Sequence, residues 1–137
     1  MTRFSIGALL IVAFFGAGCS GDSGGLSQTS ASAPVESDID MSDYRFAPAA
    51  LTVKSGTNLE LNLSNSGSVV HNWTVLANEI TAESEFDENT VLFAGEALAG
   101  AQRAYVFEPS PAGVYQVICT IPTHFSLGMV GTLTVAE

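Results

Sequence analysis

The sequence predicts an all-β domain: a Greek-key β-sandwich of about seven or eight strands, with a short helix or long loop in its middle. Three observations carry this. Hydrophobic residues make up 47% of the chain, and they fall in short runs rich in Val, Leu, Thr and Phe, which suits pleated, half-buried surfaces better than a helical bundle. The clearest run, "NLELNLSNSG", alternates Leu59, Leu61 and Leu63 with Glu60, Asn62 and Ser64, the period of a strand with one wet face. Turn residues recur at short intervals, at Lys54-Ser55-Gly56, at Asn65-Ser66-Gly67 and from Pro109 to Gly113, a spacing typical of sandwiches.

The chain begins outside this domain. Arg3 precedes an apolar run from Phe4 to about Ala17, followed by Gly18 and Cys19. A basic start, an apolar stretch and small residues before a cut form an export signal. The run is shorter than the ~20 residues of a membrane-spanning helix. A cysteine directly after small residues reads as a lipoprotein-type signal over residues 1–19, with Cys19 as the lipid anchor. Gly16 stands where such signals usually carry Leu, and a plain secretory signal or a retained membrane anchor is the alternative. Residues 20–37, "SGDSGGLSQTSASAPVES", have little to bury and read as a flexible Ser/Gly/Ala-rich tether. That leaves residues 38–137 for the domain, and an exported protein at the outer face of the cell membrane or in the periplasm.

Within the domain, Ile39, Met41, Tyr44 and Phe46 suggest one kinked strand ending at Pro48. Leu51 and Val53 mark a short strand, and the Leu59–Leu63 alternation marks the next. "VVHNWTVLA" is β-branched and aromatic and reads as a strand carrying His71. From Asn78 to Gly100 the pattern is acidic and uneven, and either a short helix or a long loop fits. "AQRAYVFEPS" resumes strand character. "GVYQVICT" and "MVGTLTVAE" are the last two strands, joined by a nine-residue loop. Cys119 and Met129 therefore stand at the two feet of one loop, with His124 on it.

Fourteen acidic residues against four basic ones leave a formal net charge of −10. A chain this acidic is repelled by nucleic acid, and a cationic protein is its natural electrostatic partner.

Soft ligands are scarce: two cysteines, two histidines and three methionines. Yet "CTIPTHFSLGM" gathers Cys119, His124 and Met129 within one loop. With Cys19 acylated, Cys119 is alone in an exported protein, which points to a disulfide, an intermolecular bond or a metal. One thiolate, two imidazoles and a weak thioether make up the trigonal His₂Cys site with a long axial Met that holds a blue, type 1 copper. His71 is the only other histidine, so the set closes as His71, Cys119, His124 and Met129. Pro122 and Gly128 suit a tight, preorganised loop.

"HNW" followed by "CTIPTHFSLGMVGTLTV", with its Cys-x₄-His-x₄-Met spacing, resembles the small blue copper proteins, the cupredoxins, and among them the auracyanin kind. The resemblance covers the domain from about Tyr44 onward. It implies one copper ion, no catalysed transformation, and one-electron transfer between membrane-associated redox partners, such as a c-type cytochrome or a membrane electron-transfer complex. It also implies a monomer in which Asn72 bonds across to the Cys-bearing loop, Trp73 is core, and Phe125 shields the site or packs beside it. Electrons would pass through His124 at an apolar patch built from Pro122, Phe125 and Leu127.

Other classes fit less well. Zinc held by one Cys and two His would want a fourth Cys, carboxylate or water. Trinuclear and dinuclear copper centres need more histidines or a second nearby cysteine. A hydrolase lacks an acid–base group around Cys119. A copper carrier of the same fold, delivering metal rather than electrons, stays open.

Overall fold

The alternation in the sequence becomes two packed sheets. The computed structural model describes residues 33–137; the stretches read from the sequence as export signal, Cys19 anchor and tether as far as residue 32 lie outside the described residues. Among the described residues the chain forms nine strands: β1 (Val35–Ser42), β2 (Arg45–Ala47), β3 (Ala50–Lys54), β4 (Leu59–Asn65), β5 (His71–Leu76), β6 (Val91–Ala97), β7 (Gln102–Phe107), β8 (Gly113–Ile118) and β9 (Val130–Ala136). One sheet has the order β2-β1-β4-β7 and the other β3-β9-β8-β5-β6. The chain passes repeatedly from one sheet to the other, so that strands distant in sequence become neighbours.

Three sequence expectations change. The first strand starts at Val35, inside the stretch read as tether, because residues Val35 to Met41 pair in parallel with Leu59 to Asn65 of β4. A polar composition does not prevent an edge segment from using its backbone donors and acceptors in a ladder.

The expected single kinked strand from Ile39 to Phe46 is a hairpin. Tyr44 takes φ of 65°, and the chain reverses so that Ser42 faces Arg45 and Met41 faces Phe46. The apolar positions shift from odd (Ile39, Met41) to even (Phe46) across this turn. This shift is the trace of the reversal in the sequence.

The middle segment holds two single-turn 3₁₀ helices, Glu83–Glu85 and Glu88–Thr90, followed by β6. That strand is hard to read because only Gly95 and Ala97 are buried along it, and both are too small to mark an apolar face. The split first strand and β6 raise the count to nine.

The core lies between the sheets. Ile39 and Met41 of β1 and Leu59, Leu61 and Leu63 of β4 meet Trp73, Val75, Val117, Leu133 and Val135 from the other sheet, all nearly or fully buried. Phe93 stacks on Phe107 with ring centroids 4.0 Å apart, and the edge of Trp73 meets Phe93. A smaller cluster of Leu76, Ile80 and Ile118 anchors the acidic middle segment, with Phe86 and Phe125 packed on it.

The topology brings five chain segments to one end of the sandwich. β8 is antiparallel to both β5 and β9, so the end of β8 lies beside the starts of β5 and β9. β1 and β4 run parallel, and their ends come together.

Leu61 is fully buried at the centre of β4. Replacing it with Ala is expected to cost about 2–5 kcal/mol of stability, read as a lower urea midpoint with an unchanged slope. A loss below about 1 kcal/mol would mean that this sheet interface does not form the core.

Candidate metal centre

His71 opens β5, and Cys119 directly follows β8. Between Thr74↔Ile118 and Leu76↔Gln116 the two strands form a backbone ladder. Continued by two places, the register sets Asn72 opposite Thr120. There side chains replace the ladder: Asn72 Nδ2 donates to Thr120 Oγ1 at 2.8 Å, and Thr120 N donates to Asn72 Oδ1 at 2.8 Å. Thr74 Oγ1 donates to the same Oδ1 at 3.1 Å. These bonds hold the His-bearing strand to the Cys-bearing loop and set the spacing of His71 and Cys119.

The loop from Thr120 to Gly128 is braced by its own backbone. His124 N donates to Ile121 O, Leu127 N to Thr123 O, and Gly128 N to Phe125 O. Thr123 at φ 73° and Gly128 at φ 95° make its two left-handed bends; glycine takes the second without a Cβ penalty. Met129 closes the loop: its N–H donates to His124 O at 3.0 Å, and its carbonyl accepts from Cys119 N at 3.2 Å. The backbone of Met129 thus ties both loop ligands together, and its side chain is fully buried.

Three donor atoms converge. His71 Nδ1 lies 3.1 Å from His124 Nδ1. Cys119 Sγ lies 3.3 Å from His124 Nδ1 and 4.0 Å from His71 Nδ1. A point equidistant from the three lies about 2 Å from each, close to the ~2.0–2.3 Å of bonds from a first-row ion to imidazole nitrogen and thiolate. Among the described residues, the convergent group of His, Cys, Asp and Glu donors is His71, Cys119 and His124, with no carboxylate in it.

His71 and Cys119 are fully buried and His124 is 6% exposed. Burial pushes the Cys119 thiol up. Burial, and then the neighbouring His71, push His124 down. Without metal the site therefore keeps a neutral thiol and a neutral imidazole, and metal binding displaces the thiol proton. The donor chemistry and spacing fit a trigonal copper site: His71, Cys119 and His124, with Met129 beside them, are positioned to bind one copper ion.

Trp73 is core at 2% exposure. Phe125 packs against the cluster formed by Leu76, Ile80 and Ile118. It also lines a hollow that reaches Cys119, Ile121 and Pro122, so it flanks the site from the side of the acidic segment. That segment is tied to the ligand loop where Ser126 N donates to Glu83 Oε1 at 3.2 Å.

Sequence reasoning missed two residues that shape the surroundings of His71. Asn65 is 2% exposed; it donates to Val69 O and Ala97 O, each at 2.8 Å, and accepts from Gly67 N. The signal was present: Asn65 continues the buried parity of Leu59, Leu61 and Leu63. The second is Asp43, in the β1–β2 turn. It accepts from Ser68 N at 3.0 Å and Ser68 Oγ at 2.9 Å, and the Ser68 N–H holds its carboxyl below the usual range. Nothing in its local sequence marks it.

The copper-binding plastocyanin/azurin family profile matches residues 33–136. The chain is 32% identical over 104 residues to the copper-resistant cuproprotein CopI of Rubrivivax gelatinosus, an alignment covering 69% of this chain and 62% of that one. It is 28% identical over 109 residues to auracyanin-B of Chloroflexus aurantiacus, covering 66% and 46%. The chain thus spans less than two thirds of the length of either relative. The fold is similar to that of auracyanin A, a blue copper protein of Chloroflexus aurantiacus, with a TM-score of 0.64 at 25% identity, covering 75% of this chain and 99% of that one.

Asn72→Ala removes both bonds to Thr120 and leaves the Thr120 N–H without its acceptor. A loss of about 1–3 kcal/mol is expected in the copper-free protein, with copper bound less tightly, read by thermal unfolding with and without copper. Unchanged midpoints in both states would show that the bridge does not set the site.

Proposed function

We propose that this chain, which belongs to the plastocyanin/azurin family of copper-binding proteins, is a one-electron carrier with a mononuclear type 1 copper site. Bound copper supplies the Cu(II)/Cu(I) couple. The residues of the chain do the rest. His71, Cys119 and His124 would hold the ion at their converging donor atoms, and the buried Met129 would be a weak thioether partner that tunes its potential. The braced loop and the Asn72–Thr120 bridge keep these donors in place between oxidation states, which lowers the rearrangement that slows electron exchange.

The observation that carries this reading is burial of the ligand set. Cys119, His71 and Met129 are inaccessible, and His124 alone has any exposure, at 6%. A site closed in this way favours passing electrons through the edge of one imidazole over handing out the ion. Around His124 the surface carries Tyr44 and Leu127, both exposed, with Pro122 on the same loop. We place electron exit there, toward a cationic redox partner such as a c-type cytochrome, with the acids of the segment around Glu79–Glu96 steering its approach. The N-terminal export signal supports a location outside the cytoplasm, tethered through Cys19.

A second reading has its own support. The similarity to a copper-resistant cuproprotein favours a copper carrier. The two readings separate on one measurement: repeated oxidation and reduction of the copper-loaded protein in the presence of a competing chelator. An electron carrier cycles without losing metal, and a copper carrier gives it up.

Cys119→Ser is expected to abolish the intense thiolate-to-copper absorption; a blue variant would overturn the ligand set. Met129→Leu is expected to keep the colour and raise or lower the midpoint potential, followed by spectroelectrochemical titration. Loss of copper from that variant would mean that Met129 is a primary holder of the ion.

A further inference from the structure

The β1–β2 turn reaches both histidines of the site. Asp43 Oδ1 lies 3.4 Å from His71 Nε2, on the opposite side of the ring from the converging Nδ1. The ring of the next residue, Tyr44, meets His124 edge-on with centroids 5.1 Å apart. The carboxylate is held in place independently of His71 by both donors of Ser68.

The space between Asp43 and His71 is also kept clear. A Cβ on Gly67 would lie 2.6 Å from Asp43 Oδ1 and 2.8 Å from His71 Nε2, so any other residue there would be driven between the two. Asn65, buried beneath, fixes Gly67 by accepting from its N–H at 2.9 Å.

A ligating histidine that donates its second N–H to a carboxylate has its tautomer and ring orientation set, and its basicity raised. We propose that Asp43 is the positioning residue of His71: its carboxylate accepts a hydrogen bond from Nε2–H, which leaves Nδ1 free to face the metal, and its negative charge behind the ligand would favour Cu(II) over Cu(I). The metal part of this inference rests on the copper reading above; the tautomer part does not.

The contact is long, and Asp43 is 45% exposed, so solvent moderates its effect. Asp43→Asn keeps the shape and an acceptor oxygen but removes the charge. It is expected to weaken Cu(II) binding relative to Cu(I) about tenfold, the lower end of the range for partners behind a ligating histidine. For a one-electron couple this raises the midpoint potential by about 59 mV. Asp43→Ala removes the acceptor as well. In the copper-free full chain, nitrogen NMR is expected to find His71 as the Nε2–H tautomer in the wild type and in Asp43→Asn, and as a mixture of tautomers in Asp43→Ala.

An unchanged His71 tautomer in Asp43→Ala would overturn the positioning role. An unchanged potential in Asp43→Asn would overturn the charge effect. A wild-type chain that takes up copper without the thiolate absorption would instead overturn the electron-carrier reading, and the tautomer measurement would still decide the role of Asp43.

Discussion

Two hydrogen bonds between Asn72 and Thr120 join the two stretches of chain that carry the ligands. Everything at this end of the sandwich depends on that link. His71 precedes Asn72 and Cys119 precedes Thr120, so the bridge fixes the separation of the two deepest donors. The loop then needs only its own backbone bonds and the closing pair at Met129 to bring His124 onto the same point. The single side-chain amide of Asn72 does this where the backbone ladder has ended.

The cost of such a site is moderated by what it buries. Two imidazoles and a thiol are polar, but they face one another. The described residues hold no buried side-chain nitrogen or oxygen without a partner. Nor is a carboxylate buried among the three donors. The acidic groups stand around the site: Asp43 behind His71, Glu83 against the ligand loop. An ion held here lies in a low-dielectric pocket whose field is set from the rim, where solvent tempers each charge. Small changes in the rim, with the ligands unaltered, are a route by which proteins of one fold reach different potentials.

The position of the acidic segment follows from packing. Ile80 shares a buried cluster with Leu76 and Ile118, against which Phe86 and Phe125 pack, and the Gln116 side chain bonds the Ile80 N–H and carbonyl, so a stretch whose sequence looks like solvated loop is anchored beside the ligands. Its charge is therefore displayed at the end of the molecule where His124 comes closest to the surface. The same few contacts serve stability and set the electrostatic character of the face.

The sequence by itself determined the class of fold, the strands with strict alternation, and which donors the candidate metal centre brings together. It could do so because a strand with one wet face must alternate, and because a chain with two histidines and one cysteine in its domain leaves a single way to complete the site. The tertiary structure alone decided what stands behind the ligands. Asp43, Ser68 and Gly67 are ordinary turn residues until parallel pairing of β1 with β4 brings their turns together beside His71. β6 was hidden because its buried positions are Gly95 and Ala97, and the β1–β2 hairpin because its left-handed residue is Tyr44 rather than glycine, leaving only the shift in apolar parity to mark the turn. The surroundings of His71 arise from contacts between residues distant in the chain, which local periodicity cannot encode.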